Sequence, residues 1–253
     1  MSLTNIIKYY KSLLILLILC FSVINSFSQG FDWQKDSRMP YKIPEFYLGL
    51  QAGYISINEY GDFNLKEDFI ECCKFQDGDG KSYYFGITSE YWYDAFTSFN
   101  FGISYIINNS NFIIRTIVPT RNGDFITDYG LNSKISASEI DIAINRRLSN
   151  THLKYGFGLT TTILIQADKE YTEQAISNNV PFEKRIISNG KISDLNEIIL
   201  SPYLNISYDL DLGIGYYASP NLHLSYNIID LLKNESWKRF SIGLGIKIYR
   251  SLK

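Results

Sequence analysis

The feature that most constrains the fold of this chain is a twenty-residue run of alternating side chains, from Ile198 to Tyr217. The even positions are Ile, Leu or Tyr apart from one proline, whereas the odd positions from 201 to 215 are Ser, Asn, Asp, Gly or Tyr. Strand side chains point to opposite faces with a period of two, so the run predicts one strand with an apolar and a polar face. Strands in soluble proteins are usually only five or six residues long.

The same alternation recurs in seven other segments. Their apolar positions fall within 46–54, 83–91, 99–105, 140–144, 153–163, 222–226 and 240–248. We therefore predict an all-β protein of eight antiparallel strands. The links between strands are expected to be short near 94–95, 149–150 and 218–221, and longer at 58–80, 108–134, 166–193 and 233–237. Alternation of short and long connections is typical of an up-and-down meander whose two ends face different environments.

The prolines are expected to avoid the strands, because proline cannot donate a ladder hydrogen bond. The five that lie outside the predicted strands are Pro40, Pro44, Pro119, Pro181 and Pro220. Pro202 is the exception, and it predicts a bulge or an extension of the sixth strand beyond a membrane.

The composition of the polar face indicates which face is buried. A soluble barrel of the lipocalin type has an apolar interior, whereas a transmembrane barrel places its apolar face in lipid. The polar positions here are rich in Gly and short hydroxyl residues rather than in Lys and Glu, which suits a crowded lumen. We predict a closed eight-stranded transmembrane β-barrel, in which the last strand pairs with the first because lipid satisfies no open edge. A soluble periplasmic carrier is the alternative.

Aromatic residues spaced by eight positions support the membrane interpretation. Eight residues of a tilted strand rise roughly 20 Å, close to the ~25 Å apolar band between the aromatic girdles of outer-membrane barrels. The predicted girdle residues are Phe46, Tyr54, Tyr83, Tyr91, Tyr208 and Tyr216. Short turns are then periplasmic and long loops extracellular.

Charged residues on the polar face are expected to pair inside the barrel, because unpaired charge in a low dielectric is costly. The predicted lumen network is Glu90, Glu139, Asp141, Lys154, Asp209, Asp211, His223, Arg239 and Lys247. An eight-stranded barrel is filled by its own side chains, so no diffusive pore is expected.

The N-terminus has the pattern of a secretory signal. Lys8 and Lys11 precede an apolar run at 13–24 and a small-x-small site at 26–28. We predict a signal peptide at 1–28, a periplasmic segment at 29–44 and the barrel at 45–253. Lipid attachment at Cys20 is a rival interpretation, although residues 17–19 lack the small side chains that it requires.

Four segments resemble the porin-type outer-membrane β-barrel family of Bacteroidota, whose branches include the PorT translocation protein. They are 26–29 (SFSQ), 48–53 (LGLQAG), 212–216 (LGIGY) and 242–246 (IGLGI). The resemblance implies an eight-stranded barrel in the outer membrane of a Gram-negative bacterium, without a cofactor. For the PorT branch it also implies a part in protein export.

Binding or assembly through the loops is the function that we expect, because the sequence gives little support to the other classes. A net charge of −2 makes a nucleic-acid partner unexpected. No catalytic, cofactor or metal motif is present, so we predict a non-enzymatic protein whose partners are outer-membrane lipid and a protein partner or export machinery. The alternative is a lipid hydrolase that uses His223 and Ser225, a pair on one strand face. Cys72 and Cys73 are adjacent and are expected to form a vicinal bridge or to be free loop thiols.

Overall fold

The computed structural model describes residues 45–63, 74–120, 123–148, 151–177, 180–213 and 215–252. The predicted signal peptide, the N-terminal segment and the Cys72–Cys73 pair lie outside these ranges. Within them the chain forms the strands β1 (Glu45–Phe63), β2 (Phe75–Trp92), β3 (Thr97–Thr120), β4 (Gly123–Arg147), β5 (Leu153–Ser177), β6 (Val180–Pro181), β7 (Arg185–Lys191), β8 (Ile198–Tyr208), β9 (Leu210–Gly213), β10 (Tyr216–Tyr226) and β11 (Ser236–Leu252). In this described part, no helix is long and apolar enough to cross a membrane.

Eight of these strands form a closed antiparallel ring in the order β1-β2-β3-β4-β5-β8-β10-β11. The ring closes between β11 and β1, which pair without interruption from Phe46 with Leu252 to Asp62 with Ser236. The predicted eight-stranded up-and-down barrel is confirmed. A closed ring leaves no unpaired edge, which a barrel in lipid requires.

Several strands are much longer than a membrane needs. Transmembrane β-strands require about 9–11 residues, whereas β3 has 24 residues and β4 and β5 have 25 each. Much of the predicted long connections at 58–80, 108–134 and 166–193 is therefore sheet rather than loop. Strands β6 and β7 pair back onto the far end of β5 and widen this part of the sheet.

The predicted twenty-residue sixth strand is wrong. The chain pairs as β8 up to Tyr208, turns, and returns as β10 from Tyr216, so residues 218–221 lie in a strand and not in a turn. Gly213 and Gly215 have φ angles of 116° and 75°, a left-handed conformation that glycine adopts without strain. Leu210 and Leu212 continue the apolar alternation through the turn, so the sequence pattern does not reveal that a turn is there.

Three prolines expected outside the strands lie within them: Pro119 in β3, Pro181 in β6 and Pro220 in β10. Pro220 lies where the partner of β10 changes from β8 to β9, so its missing N–H falls at a gap in the ladder. Pro202 pairs with Leu159 in an uninterrupted register, so the predicted bulge is absent there.

The apolar face of the barrel points outward. Leu50, Phe85 and Leu244 are 67%, 64% and 63% exposed. Leu204, Ile206, Ile242 and Ile246 are also exposed, whereas Ser207, Asp209 and Gly243 are buried inside. This arrangement is the opposite of a soluble carrier, so the carrier alternative is wrong. The exterior residues form an apolar belt that only lipid can cover.

The short turn between β2 and β3 is held by Asp94. The backbone N–H groups of Phe96 and Thr97 donate to Asp94 Oδ1 over 2.7 and 2.6 Å. The hydrogen bond from Phe96 lowers the pKa of the Asp94 carboxyl below its ordinary value. Because this end carries the short turns, it is the end that faces the periplasm in outer-membrane barrels.

Candidate functional site

The lumen of the barrel has three layers along its axis: an aromatic and charged plug at the turn end, a polar chamber, and an apolar cap at the opposite end. The plug consists of Tyr47, Glu90, Trp92, Arg147, Lys154, Asp209, Tyr217 and Tyr249, all of which are buried. Its rings pack closely, with centroids 5.1 Å apart for Tyr47 and Tyr217 and 4.8 Å apart for Tyr217 and Tyr249. Four aromatic side chains from β1, β2, β10 and β11 thus fill the turn end.

The charges of the plug balance. Lys154 Nζ lies 2.9 Å from both Glu90 Oε1 and Asp209 Oδ1, and Arg147 Nη2 lies 3.3 Å from Asp209 Oδ2. Glu90 also accepts hydrogen bonds from Ser98 and Tyr217. Two acids thus face two bases, and shared hydrogen bonds make their burial tolerable.

A cation–π contact joins the aromatic and charged parts of the plug. The guanidinium of Arg147 lies 4.2 Å from the ring centre of Trp92. Such contacts strengthen when water is excluded. The plug is therefore one cooperative unit and not a set of independent pairs.

The central chamber is a polar cavity of about 100 Å³. Its lining includes Glu139, Asp141, His223 and Lys247. Asp141 accepts a hydrogen bond from Gln51 over 3.1 Å, Glu139 accepts one from Thr162 over 3.0 Å, and Lys247 donates to Asn100 over 2.8 Å. Most of its charges are thus held by neutral hydrogen-bonding partners.

Several deeply buried atoms that line the chamber have no hydrogen-bond partner in the protein, among them Asn205 Oδ1, Asn221 Nδ2 and Arg239 Nη2. Buried polar groups are almost always hydrogen-bonded, and a cavity of this size holds several waters. We therefore expect ordered water here.

Glu59 closes the chamber toward the cap. Its carboxylate accepts from Arg239 Nε over 2.8 Å, from Trp237 Nε1 over 2.7 Å and from Ser110 Oγ over 2.5 Å. The Glu59 side chain has no solvent exposure. A carboxylate saturated by three donors is stable at this depth.

The apolar cap fills the end opposite the turns. It consists of Phe63, Phe75, Phe112, Leu131, Ile135, Ala167, Tyr171, Ile192, Ile199, Leu231, Leu232 and Trp237. Phe63 stacks on Trp237 with centroids 4.6 Å apart, and Phe112 meets Trp237 edge-on at 5.5 Å. The segments 192–197 and 227–235 join over it through a bridge between Leu195 and Leu232. The lumen is thus filled at both ends.

The structure brings most of the predicted lumen residues into this arrangement. Glu90, Lys154 and Asp209 lie in the plug, and Glu139, Asp141, His223, Arg239 and Lys247 line the chamber. The prediction for Asp211 is wrong, because it lies on β9 in the turn, is exposed, and accepts from the backbone of Gly213 over 2.9 Å. The turn, unrecognised in the sequence, carries Asp211 out of the lumen.

The predicted girdle residues divide into two groups. Phe46 and Tyr54 lie on β1, and Tyr83 and Tyr91 lie on β2, eight positions apart on the outer face. Tyr208 and Tyr216 do not span the barrel, because they lie at the turn end on β8 and β10. The prediction of that third pair as opposite girdle members is wrong for the same reason as for Asp211.

Sequence reasoning missed Glu59, Arg147, Tyr217 and the apolar cap. Glu59 and most of the cap residues fall in the predicted long connections, whereas Ile199 falls in the predicted sixth strand. Their signal was nonetheless present: Ile55, Ile57, Glu59 and Phe63 keep the inward parity of β1 beyond the predicted end at Tyr54.

The His223–Ser225 pair lies on β10 and lines the chamber. The His223 ring is 6.1 Å from Tyr84 and 6.5 Å from Tyr203, both edge-on. No hydrogen bond joins it to a carboxylate in the described ranges, so the acid that would orient a catalytic imidazole is not in place. Likewise, the described residues contain no group of three or more His, Cys, Asp or Glu arranged to hold a metal ion.

No family model matches the chain, and no curated protein matches it. Among solved structures, the outer membrane protein AlkL in lipid bilayers is similar at 6% identity, with a TM-score of 0.45 over 90% of this chain and 97% of that one. Ail of Yersinia pestis, in complex with a heparin analogue, has 10% identity and a TM-score of 0.30 over 81% and 99%. The Neisserial surface protein NspA has 11% identity and a TM-score of 0.29 over 80% and 96%. At these values the likeness does not extend to function.

The chain's own geometry identifies its environment. A closed ring of eight strands, an apolar exterior and a polar lumen are the three properties of a small outer-membrane barrel. The protein is an outer-membrane β-barrel of a Gram-negative bacterium, and its belt is in contact with lipid.

Proposed function

We propose that this barrel is a non-enzymatic binding or assembly component that acts through the part of its sheet beyond the apolar belt. The observation that carries this proposal is the double seal of the lumen by the plug and the cap. A sealed barrel of this width gives solutes no path. The extended sheet is then the largest surface left for recognition.

The extension is rigid enough to present a surface. Arg115 on β3 faces Asp128 on β4 and forms two parallel hydrogen bonds, of 2.7 and 2.8 Å. The hydrogen bonds from Arg115 lower the pKa of the Asp128 carboxyl. Further along, Asn132 donates to Glu170 over 3.1 Å between β4 and β5. The three strands are therefore cross-linked by side chains as well as by their ladders.

The extension also exposes apolar side chains. Ile117, Ile126 and Ile176 are neighbours in one row across β3, β4 and β5. Ile117 is 64% exposed, and Ile113, four residues earlier on the same face of β3, is 60% exposed. A cluster of exposed apolar residues away from the belt is typical of a protein interface. The resemblance to the PorT branch makes export machinery one class of partner to test.

Site-specific photo-crosslinking in cells tests this function. A photoreactive residue at Ile117 is expected to form a protein adduct, and the substitution Ile126→Asp is expected to abolish it. A probe at Leu244, which lies in the lipid-facing belt, is the matched control. Absence of an adduct at Ile117, or an adduct of equal yield at Leu244, would overturn the proposal.

The hydrolase alternative makes a separate prediction. Its pair lies between the plug and the cap, where the structure shows no room for an acyl chain beside a cavity of about 100 Å³. Purified protein and the Ser225→Ala variant are therefore expected to release the same background amount of fatty acid from phospholipid vesicles. Hydrolysis that disappears in Ser225→Ala would favour the enzyme instead.

A further inference from the structure

A row of cross-strand neighbours borders the upper edge of the apolar belt on β1 to β5 and β7. In register order it is Ser56, Lys81, Asn109, Lys134, Asp168 and Lys191. All three lysines are exposed on the outer face of the sheet. We call Lys81, Lys134 and Lys191 the lysine row.

The position of the row is fixed by the belt beneath it. The next row toward the turn end consists of Tyr54, Tyr83 and Ile107 on β1 to β3, and it continues as Ser136 and Gln166 on β4 and β5. Tyr83 is 59% exposed and points outward, as does Phe85 beyond it. On β1 to β3 the row therefore begins where the apolar surface ends, and this is the depth at which lipid headgroups meet a membrane barrel.

The lysines of the row have no acidic partner. None of the three forms a salt bridge with an acid among the described residues, whereas Lys74 pairs with Asp62 over 3.0 Å elsewhere on the same barrel. Asp168, which lies in the row between Lys134 and Lys191, accepts from Gln166 over 2.7 Å, and Glu170, one row further from the belt, accepts from Asn132 over 3.1 Å. Asp79 lies one row further from the belt. Three ammonium groups and the single carboxylate of Asp168 thus face the headgroup region, so the row keeps a positive charge.

The row also lines a groove on the sheet, of about 1160 Å³. Asn109, Asn111 and Asn189 line it beside the lysines and add amide donors and acceptors. The carboxylates in the lining are Asp79, Asp168 and Glu170, of which the last two accept the hydrogen bonds given above. A groove of this size and polarity is large enough for a lipid headgroup, and the belt that adjoins it on β1 to β3 continues as the surface for acyl chains.

We propose that the lysine row binds the phosphate of an anionic membrane lipid, with the acyl chains of that lipid on the belt below. A lysine ammonium is a compact charge that binds phosphate without a fixed geometry, and its long stem lies along apolar surface. Anionic lipids attract each lysine near the membrane surface. This inference does not depend on the proposed protein-binding function, because the row lies next to the belt, whereas Ile117 and Ile126 lie farther along the same outer face.

Native mass spectrometry of the detergent-purified full chain, titrated with phosphatidic acid and separately with phosphatidylcholine, tests the proposal. The wild type is expected to bind phosphatidic acid at least tenfold more tightly, on the order given by three lysines near an anionic surface. The variant Lys81→Gln/Lys134→Gln/Lys191→Gln is expected to lose this preference, and the corresponding Lys→Arg variant is expected to keep it.

A matched control changes the same amount of charge elsewhere. Lys74→Gln/Lys184→Gln/Lys233→Gln removes three exposed lysines outside the row and is expected to leave the preference unchanged. Correct folding of each variant is checked by the mobility of unheated and boiled samples. Equal lipid preference in the wild type and the row variant, or equal loss in both triple variants, would overturn the proposal.

Discussion

Lys154 on β5 and Glu90 on β2 join nearly opposite walls of the barrel, with Nζ and Oε1 2.9 Å apart. The two strands are three positions apart in a ring of eight. Their side chains are only 3% and 1% exposed. This ion pair therefore closes the turn end of the lumen and links strands that share no ladder.

Replacement of Lys154 by Met is expected to destabilise the barrel by about 3–5 kcal/mol, because it leaves buried carboxylates without their cation. The measurement is urea unfolding in detergent micelles, followed by tryptophan fluorescence. Lys74→Met is the control, since its pair with Asp62 is exposed and is expected to contribute at most about 1 kcal/mol. Equal effects of the two substitutions would show that the plug does not carry this energy.

The double seal predicts that the purified protein conducts no ions across a planar lipid bilayer. Trp92→Ala/Tyr217→Ala opens the plug only and is expected to remain closed, because the cap lies in series with it. Adding Phe112→Ala and Trp237→Ala is expected to produce conductance steps. Conductance steps from the wild type would show that the lumen is open.

Gly243 lies directly beneath the ring of His223, so a β-carbon at this position would overlap the imidazole. Gly243→Ala is expected to destabilise the barrel by about 1–3 kcal/mol through overpacking. His223→Ala in the same chain is expected to recover part of this loss, and a double-mutant cycle of unfolding free energies measures the coupling. If the changes in unfolding free energy of the two substitutions were strictly additive, the contact between Gly243 and His223 would be contradicted.

The turn between β2 and β3 is expected to weaken in acid. The pKa of Asp94 is lower in the folded state than its ordinary value of 3.8, so its stabilisation is complete above that pH and is lost as pH falls through the folded value. Hydrogen exchange of the Phe96 and Thr97 amides, relative to Asp94→Asn at each pH, measures the effect. Protection by Asp94 that does not change below pH 3.8 would contradict this account.

Alternation alone predicts the ring and the direction of its faces, because a period of two places every inward residue of a strand on one parity. This prediction fails at the turn near 209–213, because the turn residues continue the apolar–polar alternation. It also fails where strands extend beyond the apolar belt. Beyond Tyr54 the outward residues of β1 become polar, so lipid no longer imposes an apolar position and the strand loses its pattern. Glu59 was missed because its partners Ser110 and Arg239 come from β3 and β11, which only the closed ring brings together.

The most direct test of the central claim is to measure whether lipid or water contacts each face of the barrel. Spin labels at Leu50, Phe85 and Leu244, in reconstituted protein whose native cysteines are replaced by serine, are expected to collide mainly with oxygen dissolved in lipid. A label at Ser89, on the outer face near the turn end, is expected to be more accessible to a water-soluble nickel complex than these three. Dominant collision with the nickel complex at Leu50, Phe85 and Leu244 would contradict a lipid-facing belt around a sealed lumen.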